Sequence, residues 1–251
     1  MAVVVSNPIM SPILAVRHVT KSFGGLKAVD DVSFDVKVGK MIVIIGPNGA
    51  GKTTLLNLIS GFMPPDDGEV LFEGASLAGL SPPRIARLGL VRSFQIMQVF
   101  PDMSVRDVVT TAALLRLPMN AAAAYAEDVL ADVGLAHKAG AKPPSLSLQD
   151  RKLLEIAKCI ATRPKLLLLD EVMAGLTLAE AATPLALIRR MREQGLTFLL
   201  VEHVMPIVMD IADRIIVINF GRKVAEGSPR EIVEDQAVRD AYFGEAIDAA
   251  H

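Results

Sequence analysis

The segment Gly46-Pro47-Asn48-Gly49-Ala50-Gly51-Lys52-Thr53 spaces glycines ahead of a lysine and a hydroxyl, a pattern suited to holding phosphate. Glycine lets backbone N–H groups turn inward around phosphate oxygens, and a helix beginning at the lysine adds partial positive charge. Lys52 is expected to reach the terminal phosphates of a nucleoside triphosphate, and Thr53 has the hydroxyl needed to coordinate Mg²⁺. Gly46, Asn48, Gly49, Gly51 and Thr54 are expected to line the same cradle. An ordinary tight strand-to-helix turn is the competing reading, but the full spacing lies between an apolar strand pattern and a helical one, the context this chemistry requires. Alone, the loop does not separate kinases, GTPases and ATPases.

A second constellation supplies the distinction. Four leucines at 166–169 run into Asp170 and Glu171, so a buried strand would carry two adjacent carboxylates to the carboxyl edge of a sheet, where ligands bind in open α/β folds. Asp170 is assigned to Mg²⁺ through its water shell, and Glu171 to polarising the attacking water. A nucleotide kinase has no need of that second carboxylate. Without the phosphate loop the pair would read equally well as solvated acids at a strand end.

These groups need a scaffold, and the pattern of the chain provides one. Alternating stretches at 13–19 and 28–36, joined by a turn at Gly24-Gly25, read as a small β layer. An apolar strand at 41–45 precedes the loop and a helical pattern over 52–60 follows it. Strand patterns stop between 81 and 148, where Ser81-Pro82, Ser104 and Asn120 look like helix starts. They return at 166–169, 197–201 and 214–218, alternating with helical patterns near 151–162 and 184–194, which predicts a parallel sheet. The tail from 228 to 245 reads as two short amphipathic helices. The fold class is therefore α/β: a phosphate-loop (P-loop) NTPase core with a mostly parallel sheet, an N-terminal antiparallel β layer and an inserted α-helical lobe.

Composition excludes several classes. Lys and Arg number 26 against 28 Asp and Glu, giving a net charge of −2, and without a long basic run the electrostatic footprint of a nucleic-acid binder is missing. The single cysteine, Cys159, forms no internal disulfide and lies in an apolar helical pattern that suggests packing, not chemistry. No apolar stretch of about 18 residues could span a bilayer. The opening residues have no basic residue before their apolar part and are broken by Pro8 and Pro12, so the chain is expected to stay in the cytoplasm.

With these motifs in place the chain resembles the ATP-binding cassette family over about residues 14–231. Phe23 in KSFGG stands where that family has an aromatic residue stacked on adenine, although a core or turn aromatic remains the alternative. Gln95 in VRSFQ matches the glutamine that touches Mg²⁺ and the attacking water on a loop facing the transmembrane partner. His203 in LLVEHVM matches the switch histidine that contacts the γ-phosphate; isolated, it would read as a structural histidine. Ala174-Gly175-Leu176-Thr177 occupies the loop that crosses the family's dimer interface. With RSFQ, EHVM and NFGRKVAEGSPREI, the chain is similar to the ATPases of branched-chain amino acid importers, a style of cassette that also serves urea and short-amide importers and some lipid-linked exporters.

The resemblance implies an ATP- and Mg²⁺-dependent ATPase on the cytoplasmic face of the inner or plasma membrane, peripheral through transmembrane permease subunits. It further implies a second ATPase cassette, an indirect solute-binding protein and no nucleic acid. It also implies one ATPase domain over 12–245: a nucleotide-binding core with the β layer at 12–80 and 163–228, a helical lobe at 81–162 and C-terminal helices at 229–245. Flexible ends are expected at 1–11 and 246–251.

The sequence departs from the family at its signature, usually LSGGQ, which here is Leu146-Ser147-Leu148-Gln149-Asp150. In the family this segment opens a helix and presents its backbone and serine hydroxyl, here Ser147, to the ATP of the partner subunit. Bulky side chains threaten that approach, and Asp150 brings negative charge toward phosphate. Ser147-x-x-Asp150 also reads as a capping box, worth about 1 kcal/mol to the helix, and both readings stand. Val172 replaces a common proline, with a small expected effect on loop stiffness. These departures suggest two unequal composite sites and favour a heterodimer over a homodimer. Two other classes compete with a transport motor: a chromosome-maintenance or repair ATPase, whose long coiled-coil insertion has no counterpart between Lys52 and Ser147, and a nucleotide-sensing module without hydrolysis.

Overall fold

Uninterrupted apolar runs become buried parallel strands in this protein, and alternating runs become a half-exposed antiparallel layer. A computed structural model describes residues 11–94 and 102–238. Most of the expected flexible ends, the last part of the tail and Gln95 lie outside the described residues.

In chain order, β1 (Leu14–Phe23) and β2 (Leu26–Val36) form a hairpin, β3 (Met41–Ile45) leads into α1 (Lys52–Ile59), and β4 (Asp67–Phe72) and β5 (Ala75–Ser76) follow. Next come α2 (Pro82–Leu88), β6 (Leu90–Arg92), α3 (Val105–Ala113), α4 (Met119–Asp132) and α5 (Leu148–Ala161). Then β7 (Leu166–Asp170), α6 (Leu178–Glu193), β8 (Thr197–Val201), α7 (Met205–Ile211) and β9 (Arg214–Asn219) alternate. The described chain closes with β10 (Arg222–Gly227), α8 (Pro229–Glu234) and α9 (Gln236–Val238).

The described strands form a four-stranded antiparallel sheet, ordered β2-β1-β4-β5, and a six-stranded sheet, ordered β10-β9-β3-β8-β7-β6. In the larger sheet all pairings are parallel except that of β10 with β9. Both its faces are covered, which is why β3 and β7 show no alternation. Met41, Val43 and Ile45 join one core with Leu167 and Leu169, whereas Ile42 and Ile44 join a second core with Leu166 and Leu168. Each such buried aliphatic side chain contributes about 1.5–3 kcal/mol.

Helix starts follow local chemistry. Ser104 caps α3 in a reciprocal box with Asp107, and Ser81 precedes α2, which carries proline at its start. The start expected at Asn120 lies slightly earlier: α4 begins at Met119, with Pro118 as its cap and the Pro118 carbonyl accepting from the Ala122 amide at 2.8 Å. Proline's fixed φ already suits the chain for helix initiation.

One expectation is corrected. Strands do not stop between 81 and 148, because β6 pairs in parallel with β7 from Leu90↔Leu166 to Arg92↔Leu168 at the edge of the central sheet. Three residues after a glycine are too few to show a period. The stretch 81–162 is thus shared between helices and a strand of the central sheet. β4, β5 and β10 also lack a clear apolar alternation. Cys159 is buried in the first core, and burial pushes its thiol far above the ordinary range, in keeping with a packing role. No described helix is long and apolar enough to cross a membrane.

Candidate functional site

Sheet order explains why distant motifs meet. β3, β8 and β7 are neighbours, so the phosphate loop after β3, His203 after β8 and the Asp170–Glu171 pair at the end of β7 leave the same edge side by side.

The loop between β3 and α1 allows no side chains at two of its glycines. Gly51 has φ 103°, and a Cβ there would sit 2.1 Å from the Ala28 carbonyl oxygen; a Cβ on Gly46 would sit 2.1 Å from that of Ile218. Lys52, the first residue of α1, is 6% exposed, and its Nζ donates to the carbonyls of Gly46 at 2.7 Å and Pro47 at 2.8 Å. Burial lowers its ammonium pKa, against the opposing pull of Glu171 and Asp170. Residues 48–54, with Glu171, line an open concavity of about 270 Å³, together with Leu26, Lys27 and Phe220. Asn48, Gly49, Gly51, Lys52, Thr53 and Thr54 are therefore brought together as the sequence suggests. Phe23 is not among the lining residues: it is half-exposed at the end of β1, paired across the hairpin with Leu26.

The two carboxylates diverge although adjacent. Asp170 is buried; its Oδ2 accepts from Arg92 Nη2 at 2.8 Å, and its amide donates to Ser93 Oγ at 3.2 Å. Arg92 also donates to Asn57 of α1 at 2.6 Å and stacks over Phe94, whose ring meets Phe62 edge-on. Glu171 instead turns off the strand with φ 49°, and its Oε1 lies 4.0 Å from Nδ1 of the half-exposed His203. Glu202, between Val201 and His203, is 1% exposed. Burial pushes its carboxyl up to about 7, with Glu171's charge adding to the rise while the Met173 and His203 amides and Lys152 oppose it.

Residues 146–150 of the signature segment are not among those lining this concavity. Ser147 caps α5, accepting from the Asp150 amide at 3.1 Å and donating to Asp150 Oδ2 at 2.6 Å. Lys138 Nζ reaches the same oxygen at 2.5 Å. Desolvation raises the Asp150 pKa, but the hydrogen bonds from Lys138 and Ser147 outweigh it and hold the carboxyl below its usual range. Gln149 donates to the Glu180 carbonyl at 3.0 Å, and a Cβ on Gly175 would meet Leu148 at 3.2 Å. The helix-cap chemistry is therefore present, with Asp150 bound to the Ser147 hydroxyl and Lys138. Val172 is buried in the turn after Glu171.

Sequence reasoning missed Arg92, Lys152 and Glu202. For Arg92 and Glu202 the available signal was a charge at the end of an apolar strand, in LVR and LLVE, whereas Lys152, inside α5, offered none.

The chain matches the ABC transporter family model over residues 29–174, and a branched-chain amino acid ATP-binding cassette transporter model over 222–248. It is 39% identical to the high-affinity branched-chain amino acid transport ATP-binding protein BraF of Pseudomonas aeruginosa, across 94% of this chain and 99% of that protein. It is 38% identical to the corresponding LivG protein of Escherichia coli, with the same coverage. Among solved structures, a nucleotide-free ATP-binding cassette from an ABC transporter superposes with a TM-score of 0.83 at 30% identity, over 92% of this chain and 98% of that one. The ADP conformation of an ATP-binding cassette of an ABC transporter gives a TM-score of 0.83 at 31% identity, over 93% of this chain and 99% of that one.

Proposed function

This chain belongs to the ABC transporter family as an ATP-hydrolysing subunit, and from that premise we propose that it energises import of branched-chain amino acids or a related small polar solute. The solute class rests on the relatives' names and on the match over 222–248. Non-transport alternatives draw no support from these likenesses. The observation that carries the mechanism is the adjacency of β3, β8 and β7, which gathers Lys52, Glu171 and His203 at one edge.

In the proposed reaction the triphosphate of ATP lies against the inward amides of residues 46–54, and Lys52 exchanges loop carbonyls for phosphate oxygens. Glu171 accepts a proton from the attacking water, a contribution on the order of 10²–10⁴ in rate. His203 contacts the γ-phosphate beside it. The Thr53 hydroxyl and the Asp170 carboxylate are oxygen donors of the kind Mg²⁺ prefers, so these residues fit that cation, with Gln95 as a further proposed contact. When bound, Mg²⁺ supplies neutralisation of phosphate charge. Phe23 remains proposed for the base, and Ser147 for the ATP of a partner.

The partner arrangement follows from the signature. The composite site built on this chain's phosphate loop and Glu171 would hydrolyse ATP against another cassette's signature, while the site facing LSLQD would turn over slowly, which favours a heterodimer. The partly exposed Phe62–Phe94 pair, whose Phe94 directly precedes Gln95 in sequence, supports attachment to permease subunits at that pair, leaving the chain peripheral at the cytoplasmic face of the membrane. Co-purification of the tagged chain from its native host tests this: permease subunits and a distinct second cassette are expected. Recovery of only a second copy of this chain with the permease would contradict the heterodimer, and absence of any permease would contradict the transport role.

A further inference from the structure

Glu171 does not stand on relaxed backbone. Its φ of 49° is one that residues bearing a side chain rarely adopt and keep only where the surroundings fix it. Several contacts surround the turn. The Glu171 amide donates to the Val201 carbonyl at 2.9 Å, and its own carbonyl accepts from the Ala174 amide at 3.0 Å and from Lys152 Nζ at 3.4 Å. Two residues further on, the Met173 amide donates to Glu202 Oε1 at 3.1 Å. Glu202 directly follows Val201 and directly precedes His203, so it belongs to the strand end that carries the histidine while gripping the turn that carries the base.

The placement is costly. Glu202 is 1% exposed, and its Oε2 has no hydrogen-bond partner among the described residues. A buried, half-satisfied carboxyl costs stability that a neutral apolar side chain would not, so its presence here calls for a role. Nor does it belong to the nucleotide concavity, whose lining includes neither Glu202 nor Lys152.

We propose that Glu202, assisted by Lys152 from the signature helix α5, is a positioning residue that clamps the Glu171 turn against the strand end bearing His203, so that base and histidine address one water. The proposal rests on the hydrolytic reading of the site and adds to it the residues that align it. Because Lys152 lies on α5, the helix that begins at the signature, the clamp also ties that helix to this chain's own base.

The test compares wild type, Glu202→Ala, Glu202→Gln and Lys152→Met in the full chain, reading kcat and KM for ATP and, separately, MgATP binding. Glu202→Ala is expected to lower kcat about tenfold while KM and binding stay within about twofold. Glu202→Gln, whose amide oxygen still accepts from Met173, is expected to remain within about threefold of wild type, and Lys152→Met to lose about threefold in kcat. Undiminished kcat in Glu202→Ala overturns the clamp, as does an equal loss in the Gln and Ala variants or a rise in KM that matches the fall in kcat. Should Glu202→Ala fail to fold, Lys152→Met decides, and an unchanged kcat there overturns the proposal. A wild-type chain that binds MgATP without cleaving it, alone or with its partners, overturns the hydrolytic reading itself, an outcome distinct from any difference among variants.

Discussion

The phosphate loop and the signature segment both introduce helices, α1 and α5, but they satisfy those helix starts in opposite ways. At α1 the chain removes side chains: Gly46 and Gly51 leave no room for a Cβ beside the Ile218 and Ala28 carbonyls. At α5 the chain adds them. Ser147, Gln149 and Asp150 spend their polar groups on Asp150, Glu180 and Lys138 within the same subunit, and Leu148 is partly exposed beside Gly175. The surface proposed for this chain's own nucleotide is kept free of side chains, whereas the polar groups of the segment proposed for a partner's nucleotide are engaged within the same subunit. The proposed inequality between two composite sites rests on that contrast.

The contrast breaks most violently at Gly51. Gly51→Ala puts a methyl 2.1 Å from a backbone oxygen at a φ of 103°, and ATP turnover is expected to fall at least about 100-fold with loss of nucleotide binding. Normal ATP affinity in that variant would show that the loop is not the cradle described. On the other side, Leu148→Gly combined with Gln149→Gly in the assembled complex is expected to raise turnover at the weaker composite site about threefold or more. Unchanged turnover per site would argue that LSLQD is already competent.

A smaller effect is expected from Lys138→Ala, which leaves Asp150 without its cation. Since Lys138 is about one-third exposed, the loss is put at no more than about 1 kcal/mol, or a fall of about 2–4 °C in Tm. Binding of ATP to this chain's own loop should not change, and a loss of that binding would mean that the two regions are coupled.

The smallest expected effect concerns pH. Glu202 has its folded pKa raised from 4.5 to about 7, so the folded state holds the proton more tightly than the unfolded one. The protein therefore loses stability as pH rises through that window, and the cost is complete above it. Glu202→Gln removes the titration, so its Tm relative to wild type should be higher at pH 8 than at pH 5; a constant difference would show that Glu202 ionises normally.

How much of this was legible beforehand depended on how local each feature is. Residues 46–53 and the Leu166–Asp170 strand followed by Glu171 are contiguous, and their chemistry and flanking elements can be read together. Arg92 gains its meaning only when β6 pairs with β7 and brings its guanidinium to Asp170, and β6 is three residues long. Glu202 likewise depends on β8 lying beside β7, which sets it against Met173. The capping role of Asp150 was readable from its spacing to Ser147, but its ion pair with Lys138 was not, because that lysine ends a single 3-10 turn, Ala136–Lys138, too short to show a period. Short elements and contacts across the sheet carry no period in sequence.

The measurement that bears most directly on the account is ATP binding and turnover by Glu171→Gln in the complex with its permease and second cassette. Retained MgATP binding with turnover reduced at least about 100-fold is predicted, since the variant keeps the cradle and loses the base. Turnover close to that of the unmodified complex would contradict the assignment of hydrolysis to the site formed by Lys52, Glu171 and His203.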